Sequence, residues 1–356
     1  MVLWKVPSRV IAGLLFLGSV LLGSAATAQA QEPPKPPQIV FNDSGGDMQK
    51  AMRESFYSEF EKRFGIRVVT TSPVDAGKLK AMVESGNIEW TVTEIGPEEA
   101  MLAEKEGLLE PLDRKIIDLS DYPKHLQDRK YIMPKGVYTT VMGYRTDAFS
   151  EGKGPTSWAD FWDVKKFPGP RTLRDSPIDN LEFALLADGV APDKVYPIDV
   201  ARAFKKLDEI KPHITVWWKT GAQSAQLLVD KEAVMGSAWN GRYFVAIKNG
   251  APLKIEWNQG MIKESAFVIP KGAKDAYWGQ KMLALITDAK AQGIYANIIT
   301  YPGLNLKSMA YVKPELQTFM PTHADNLPKQ VWTDAKWWLD NGKEMNERWS
   351  KWILAK

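Results

Sequence analysis

Side chains able to hold a small charged molecule concentrate in two stretches of this sequence. The first is Asp43-Ser44-Gly45-Gly46-Asp47, after the apolar Ile39-Val40-Phe41 and before an apolar stripe of helical spacing. Glycines there expose backbone N–H groups, and the helix N-terminus beside them favours a negative group. Asp43 and Asp47 offer a competing outcome, because either carboxylate can cap the helix and take that place. The second stretch, residues 233–270, carries Trp239, Arg242, Trp257, Lys263 and Glu264. Aromatic faces mixed with both charge signs suit a ligand cleft better than a plain core strand. Trp239-Asn240-Gly241-Arg242 can equally be a buried strand-end tryptophan and a tight turn with an exposed arginine. Asp179 and Glu182 stand near the start of another helix, where carboxylates ordinarily complement the macrodipole on a solvated face.

Catalytic chemistry finds no frame. The sequence has no G-x-S-x-G elbow, no H-E-x-x-H and no P-loop lysine motif, so no catalytic residue and no cofactor is expected. Its three histidines, His125, His213 and His323, are far apart, which argues against a His-based metal site and leaves carboxylate ligands open.

The elements that would position these residues alternate between strand and helix. A short strand at residues 39–41 leads through the loop to Met48, Met52, Phe56, Phe60 and Phe64, spaced by fours on one helical stripe that Gly65 ends. Strands follow at 66–71, 90–95 and 138–144, with helices at 75–85 and 98–106 between them. Ser157 is placed to cap a short helix beginning at Trp158. Further on come strands at 170–173, 216–218 and 233–239, helices at 178–188, 197–210 and 221–230, a turn at Asn240-Gly241, and an apolar strand at 265–269. Two helices over 275–299 and a helical tail over 328–356 close the chain. This is an α/β protein built from β-loop-α-β units. Most of its fourteen tryptophans, those of the tail included, are expected to pack rather than bind.

At the front, Lys5 and Arg9, the apolar run 10–23 and Ala28-Gln29-Ala30 form the three parts of a secretory signal in order. Cleavage is expected after Ala30, giving an exported, periplasmic protein. It has no cysteine and must hold itself together by core burial alone. Removing Lys5 and Arg9 lowers the formal charge from +3 to +1, which does not suggest a nucleic-acid partner.

Several longer stretches carry a family resemblance. Phe60-Glu61-Lys62-Arg63-Phe64-Gly65-Ile66-Arg67-Val68, Glu106-Gly107-Leu108-Leu109-Glu110-Pro111-Leu112 and Gly143-Tyr144-Arg145-Thr146-Asp147 resemble the extracellular solute-binding proteins of ABC importers. So does the run from Pro155 to Asp163. Residues 236–250 are similar to the spermidine/putrescine-binding branch, where W-N-G-x-x-F-V-A recurs. The resemblance implies a type II-like two-lobe fold with the ligand cleft between the lobes and hinge crossings near 144–147, 263–270 and 304–307. It implies one lobe from residues 31–144 with 267–304 and another from 145–266 with 305–356. The partners it implies are a small-molecule solute and, transiently, an inner-membrane ABC permease, with the binding protein a monomer.

The resemblance also assigns ligand contacts. They are Asp43, Ser44 and Gly45 in the first loop, Asp179 at a helix start in the second lobe, Trp239 and Arg242, Tyr301, and the pair Lys263-Glu264. Lys263 and Glu264 stand where polyamine binders carry Trp-x-Asp, and a second family carboxylate falls at Ser176. Lys263 and Arg242 would repel a polycation by a few kcal/mol. A ligand with one amine and one acid, or a small organic anion, therefore fits the charges better than spermidine. The alternatives are an exported two-lobe enzyme, or a binder of a metal or metal chelate using tyrosines such as Tyr243 and Tyr301.

Overall fold

The computed structural model describes residues 1–4 and 32–355. The expected signal segment and its cleavage after Ala30 lie almost wholly outside them. Contacts divide the chain into Met1–Pro34 and Lys35–Lys356, and the second unit holds every strand and helix of the described residues.

Nine strands among the described residues share a mixed sheet: β1 (Gln38–Asn42), β2 (Arg67–Thr71), β3 (Val92–Ile95), β4 (Met133–Arg145), β5 (Arg171–Arg174), β6 (Ile214–Trp218), β7 (Met235–Trp239), β8 (Leu253–Val268) and β9 (Val331–Trp332). Their order is β2-β1-β3-β8-β4-β7-β5-β6, with β9 added on β8. The β1–β3 group is internally parallel, and so is the β5–β7 group. The long strands β4 and β8 run antiparallel to each other between the two groups.

These two strands serve separate cores. Met133 of β4 and Phe267 of β8 pack with Phe41, Phe60 and Trp278, whereas Met142 and Met261 of the same strands pack with Trp158, Leu173 and Trp338. Where the cores change over, the β4–β8 register slips between Thr140 and Met142. Gln259, at φ 62, sits in the part of β8 bulged out there. Trp158 pins the bulge by donating its backbone N–H to the Gln259 side chain (3.1 Å) and its ring N–H to the Gln259 carbonyl (3.0 Å).

The stripe beginning at Met48 forms the helix run Gly46–Met52, Arg53–Tyr57 and Ser58–Phe64, whose middle segment is a π-helix. Steps of four exceed the α-helical 3.6, so a straight helix would rotate the stripe away from the sheet; a wider π turn takes up the surplus. Gly65 at φ 71 stops the run, and Ser157 caps its helix by accepting from Asp160 N–H. Trp338 and Trp349 of the last helix, Ala335–Leu354, are buried core residues.

Three local expectations are corrected. Asn240-Gly241 is no turn, because the helix Asn240–Lys248 starts directly after β7. Gly241 is needed instead for close approach: a Cβ there would lie 2.5 Å from the Ile299 carbonyl and 2.7 Å from the Tyr301 ring. The strand expected at 265–269 is the end of β8, which begins at Leu253. Asp179 and Glu182 are not on a solvated face, since the helix Asn180–Ala187 that they begin is buried nearly all round.

Candidate functional site

A cavity of about 290 Å³ opens at the strand ends where the β1–β3 and β5–β7 groups face each other. It is reached from one side by the loop after β1, the end of β3 and the helix Pro97–Lys105. From the other side it is reached by the end of β5, the start of the helix Asn240–Lys248 and Asn346 of the last helix.

The floor is a buried polar chain. Ser44 donates its Oγ–H (2.9 Å) and backbone N–H (3.3 Å) to Glu94 Oε2, and Lys135 Nζ donates to Glu94 Oε1 at 2.7 Å. The Lys135 ammonium also lies 5.1 Å from the Phe267 ring centre and 5.3 Å from that of Tyr295. Charge, hydrogen bond and aromatic faces together satisfy a lysine only 7% exposed.

Arg242 closes one wall. Its Nη2 donates to the Gly45 carbonyl at 3.0 Å, so a side chain after β7 grips the loop after β1. Its Nε and Nη1 are buried without a protein partner. The aromatic side of the cavity is Trp239, Tyr138 and Tyr301. Ring centres are 6.0 Å apart for Tyr138–Trp239 and 6.2 Å for Tyr138–Tyr301, and the Tyr301 hydroxyl is likewise unpartnered. The Arg174 guanidinium stands 5.6 Å from the Trp239 ring centre.

Opposite charge comes from Glu98. One of its oxygens is buried without a protein partner. Burial, then the neighbouring Glu99 charge, pushes its carboxyl up to about 7, against the pull of Lys263 and Arg174. With Glu94 and Lys135 neutralising each other, the other charged groups on the cavity are the guanidiniums of Arg174 and Arg242 and the carboxylates of Glu98, Glu99 and Asp175, of which Glu99 accepts from Gly96 N–H and Asp175 from the Trp349 ring N–H. That set can hold an anionic and a cationic end of one small molecule.

Known proteins are similar to this chain along nearly its whole length. The "Gamma-aminobutyric acid-binding protein" of Pseudomonas aeruginosa is 33% identical over 93% of this chain and 94% of its own length. A solved GABA receptor is 37% identical, with a TM-score of 0.80 over 90% of this chain and 98% of the other. An ABC transporter substrate-binding protein from Bradyrhizobium japonicum USDA 110 is 39% identical, with a TM-score of 0.81 over 89% and 99%. Residues 55–322 match the family described as bacterial extracellular solute-binding protein. The chain belongs to that family.

This solute-binding protein is the substrate-capturing component of an ABC importer, with the two-lobe fold and interlobe cleft of that class. It takes a small molecule and docks with a permease.

Of the residues singled out from sequence, Ser44, Ser176, Trp239, Arg242 and Tyr301 line the cavity of the solute-binding protein. Four more stand behind its wall. Asp43 ties the loop together by accepting from Gly45 N–H (2.9 Å), Gln49 (3.0 Å) and the Tyr57 hydroxyl (2.9 Å), and burial raises its pKa. Gly45 presents its carbonyl to Arg242. Asp179 and Lys263 form a buried ion pair. Glu264 points elsewhere and pairs with Arg129 at 3.0 Å, as alternation along a strand requires once Lys263 faces Asp179.

Sequence reasoning missed Glu94, Glu98, Lys135, Tyr138 and Arg174. Two of them left a mark: Glu94 interrupts the apolar end of β3 just before Gly96-Pro97, and Lys135 interrupts the apolar start of β4. Charged residues inside otherwise buried strands are rare without a paired role.

Proposed function

We propose that this importer component captures a zwitterion with one amino and one carboxylate group, of the γ-aminobutyrate class. The observation that carries this is the pairing of Arg242, with two buried nitrogens unpartnered in the protein, and Glu98, with one buried oxygen unpartnered, on one cavity. The ligand carboxylate lies against Arg242 and Arg174, its ammonium near Glu98, and its methylenes against Tyr138 and Trp239. A volume of about 290 Å³ is at the small end for ligand pockets and suits a short chain. The names of the relatives that bind γ-aminobutyrate support the same class.

The ligand is released unchanged, and the protein works as a periplasmic monomer after cleavage following Ala30. Residues 31–144 with 267–304 form one lobe, and 145–266 with 305–356 the other. The separate cores joined through β4 and β8 support that division. Calorimetric titration with 4-aminobutanoate, spermidine and succinate tests the ligand class. Binding of 4-aminobutanoate alone agrees with it, and binding of spermidine or succinate in its place overturns it. Mass spectrometry of the recovered ligand checks that it is unchanged.

A further inference from the structure

Lys263 and Asp179 make a buried ion pair behind the Tyr138 side of the cavity. Lys263 Nζ meets Asp179 Oδ1, the two side chains being 3% and 1% exposed, and Thr140 Oγ donates to Asp179 Oδ2 at 2.8 Å. Asp179 holds φ 74, a left-handed backbone conformation unusual for a residue other than glycine, and its side chain caps no helix N–H. Lys263 is the register partner of Tyr138 across β4 and β8, so both side chains rise from one sheet face. Its ammonium lies 5.8 Å from the Tyr138 ring centre, and Tyr138 lines the cavity. The charged groups felt around this point are Glu94, Glu98, Arg174 and Glu182.

A buried carboxylate beside an aromatic cavity wall is a place where a ligand ammonium would settle, through an ion pair and a cation–π contact. Here the protein's own ammonium already fills that role. We propose that Lys263 is a specificity-determining residue: by neutralising Asp179 it denies a second ligand ammonium its counter-charge and excludes diamines. This rests on the zwitterion reading of the cavity, in which Glu98 serves the single amine. Discrimination here is by repulsion and by occupation of the partner rather than by a better fit to the chosen ligand.

The test is calorimetric titration at pH 8 with 1,4-diaminobutane and, separately, 4-aminobutanoate. It uses the wild type, Lys263→Met, Lys263→Gln and the double variant Lys263→Met with Asp179→Asn. The Gln variant keeps a neutral hydrogen-bond donor for Asp179 and supplies the measurement should the Met variant fail to fold. A gain of at least tenfold in diamine affinity is expected in each folded single variant, and its loss in the double variant. A folded single variant with no gain, or a gain that survives Asp179→Asn, overturns the proposal. A wild type that ignores 4-aminobutanoate would refute the ligand class instead, while the change in diamine affinity still decides the role of Lys263.

Discussion

Arg242 Nη2 lies 3.0 Å from the carbonyl oxygen of Gly45, residues nearly two hundred positions apart in the chain. That contact ties the helix after β7 to the loop after β1 and leaves Nε and Nη1 buried without a protein partner. A planar cation with one edge committed and another free is suited to receiving a carboxylate.

Replacing Arg242 therefore removes both a latch and a ligand donor. Arg242→Met is expected to weaken 4-aminobutanoate binding by about 2–4 kcal/mol, the cost of truncating a desolvated charge partner. Arg242→Lys, which keeps the charge but not the fork, is expected to lose less. Calorimetric titration of the three proteins checks the order.

Glu98 sets a pH window for binding. Its carboxyl is pushed up to about 7, so it is charged above that value and neutral below it. A ligand amine needs the charged form, and neither end of an ω-amino acid titrates between about pH 5.5 and 8.5. Affinity is thus expected to be highest near about pH 8.5 and to fall by up to about tenfold per pH unit below 7. Glu98→Gln is expected to bind more weakly at that upper pH and to lose most of this dependence.

Glu182 provides a stability switch away from the cavity. It is fully buried, accepts from Tyr196 and from the Trp338 ring N–H, and is raised from 4.5 to about 7 chiefly by burial and next by the Asp179 charge. The folded state then holds the proton more tightly than the unfolded state. This contribution is complete below about pH 4.5 and is lost as pH rises through 7. Glu182→Gln should gain stability relative to wild type between about pH 5 and pH 8, by up to about 3 kcal/mol. Urea unfolding at both pH values measures it.

Gly241→Ala tests the close approach beneath Tyr301. A Cβ placed 2.5 Å from the Ile299 carbonyl must displace backbone, so a stability loss of about 1–3 kcal/mol is expected. The displaced Tyr301 ring should also weaken ligand binding. Thermal unfolding and titration on the same preparation read the two effects.

Much of the fold was legible along the chain because its cause is local. The stripe from Met48 to Phe60, the Gly65 stop and the Ser157 cap depend on residues a turn or two apart, and each appears where the spacing puts it. The Asn240-Gly241 turn failed for the opposite reason. Its glycine answers to Ile299 and Tyr301, some sixty residues on, and nothing near Gly241 records that demand. The site divides in the same way. Trp239 and Arg242 stood out as an aromatic and a charge at a strand end, and Glu94 and Lys135 show as charges inside otherwise apolar strands, while Glu98 lies at the start of a helix that looks ordinary by itself.

The sequence alone determined the alternation of strands and helices and the concentration of aromatic residues and both charge signs over residues 233–270. Only the tertiary structure decided which charges are spent on each other and which remain for a ligand. Lys135 with Glu94, and Lys263 with Asp179, are internal pairs; Arg242 and Glu98 are left with unsatisfied buried atoms. The physical reason is that secondary structure follows from periodicity over a few residues. The free charge of a site is a difference between partners brought together from distant strands, and it exists only once the sheet has formed.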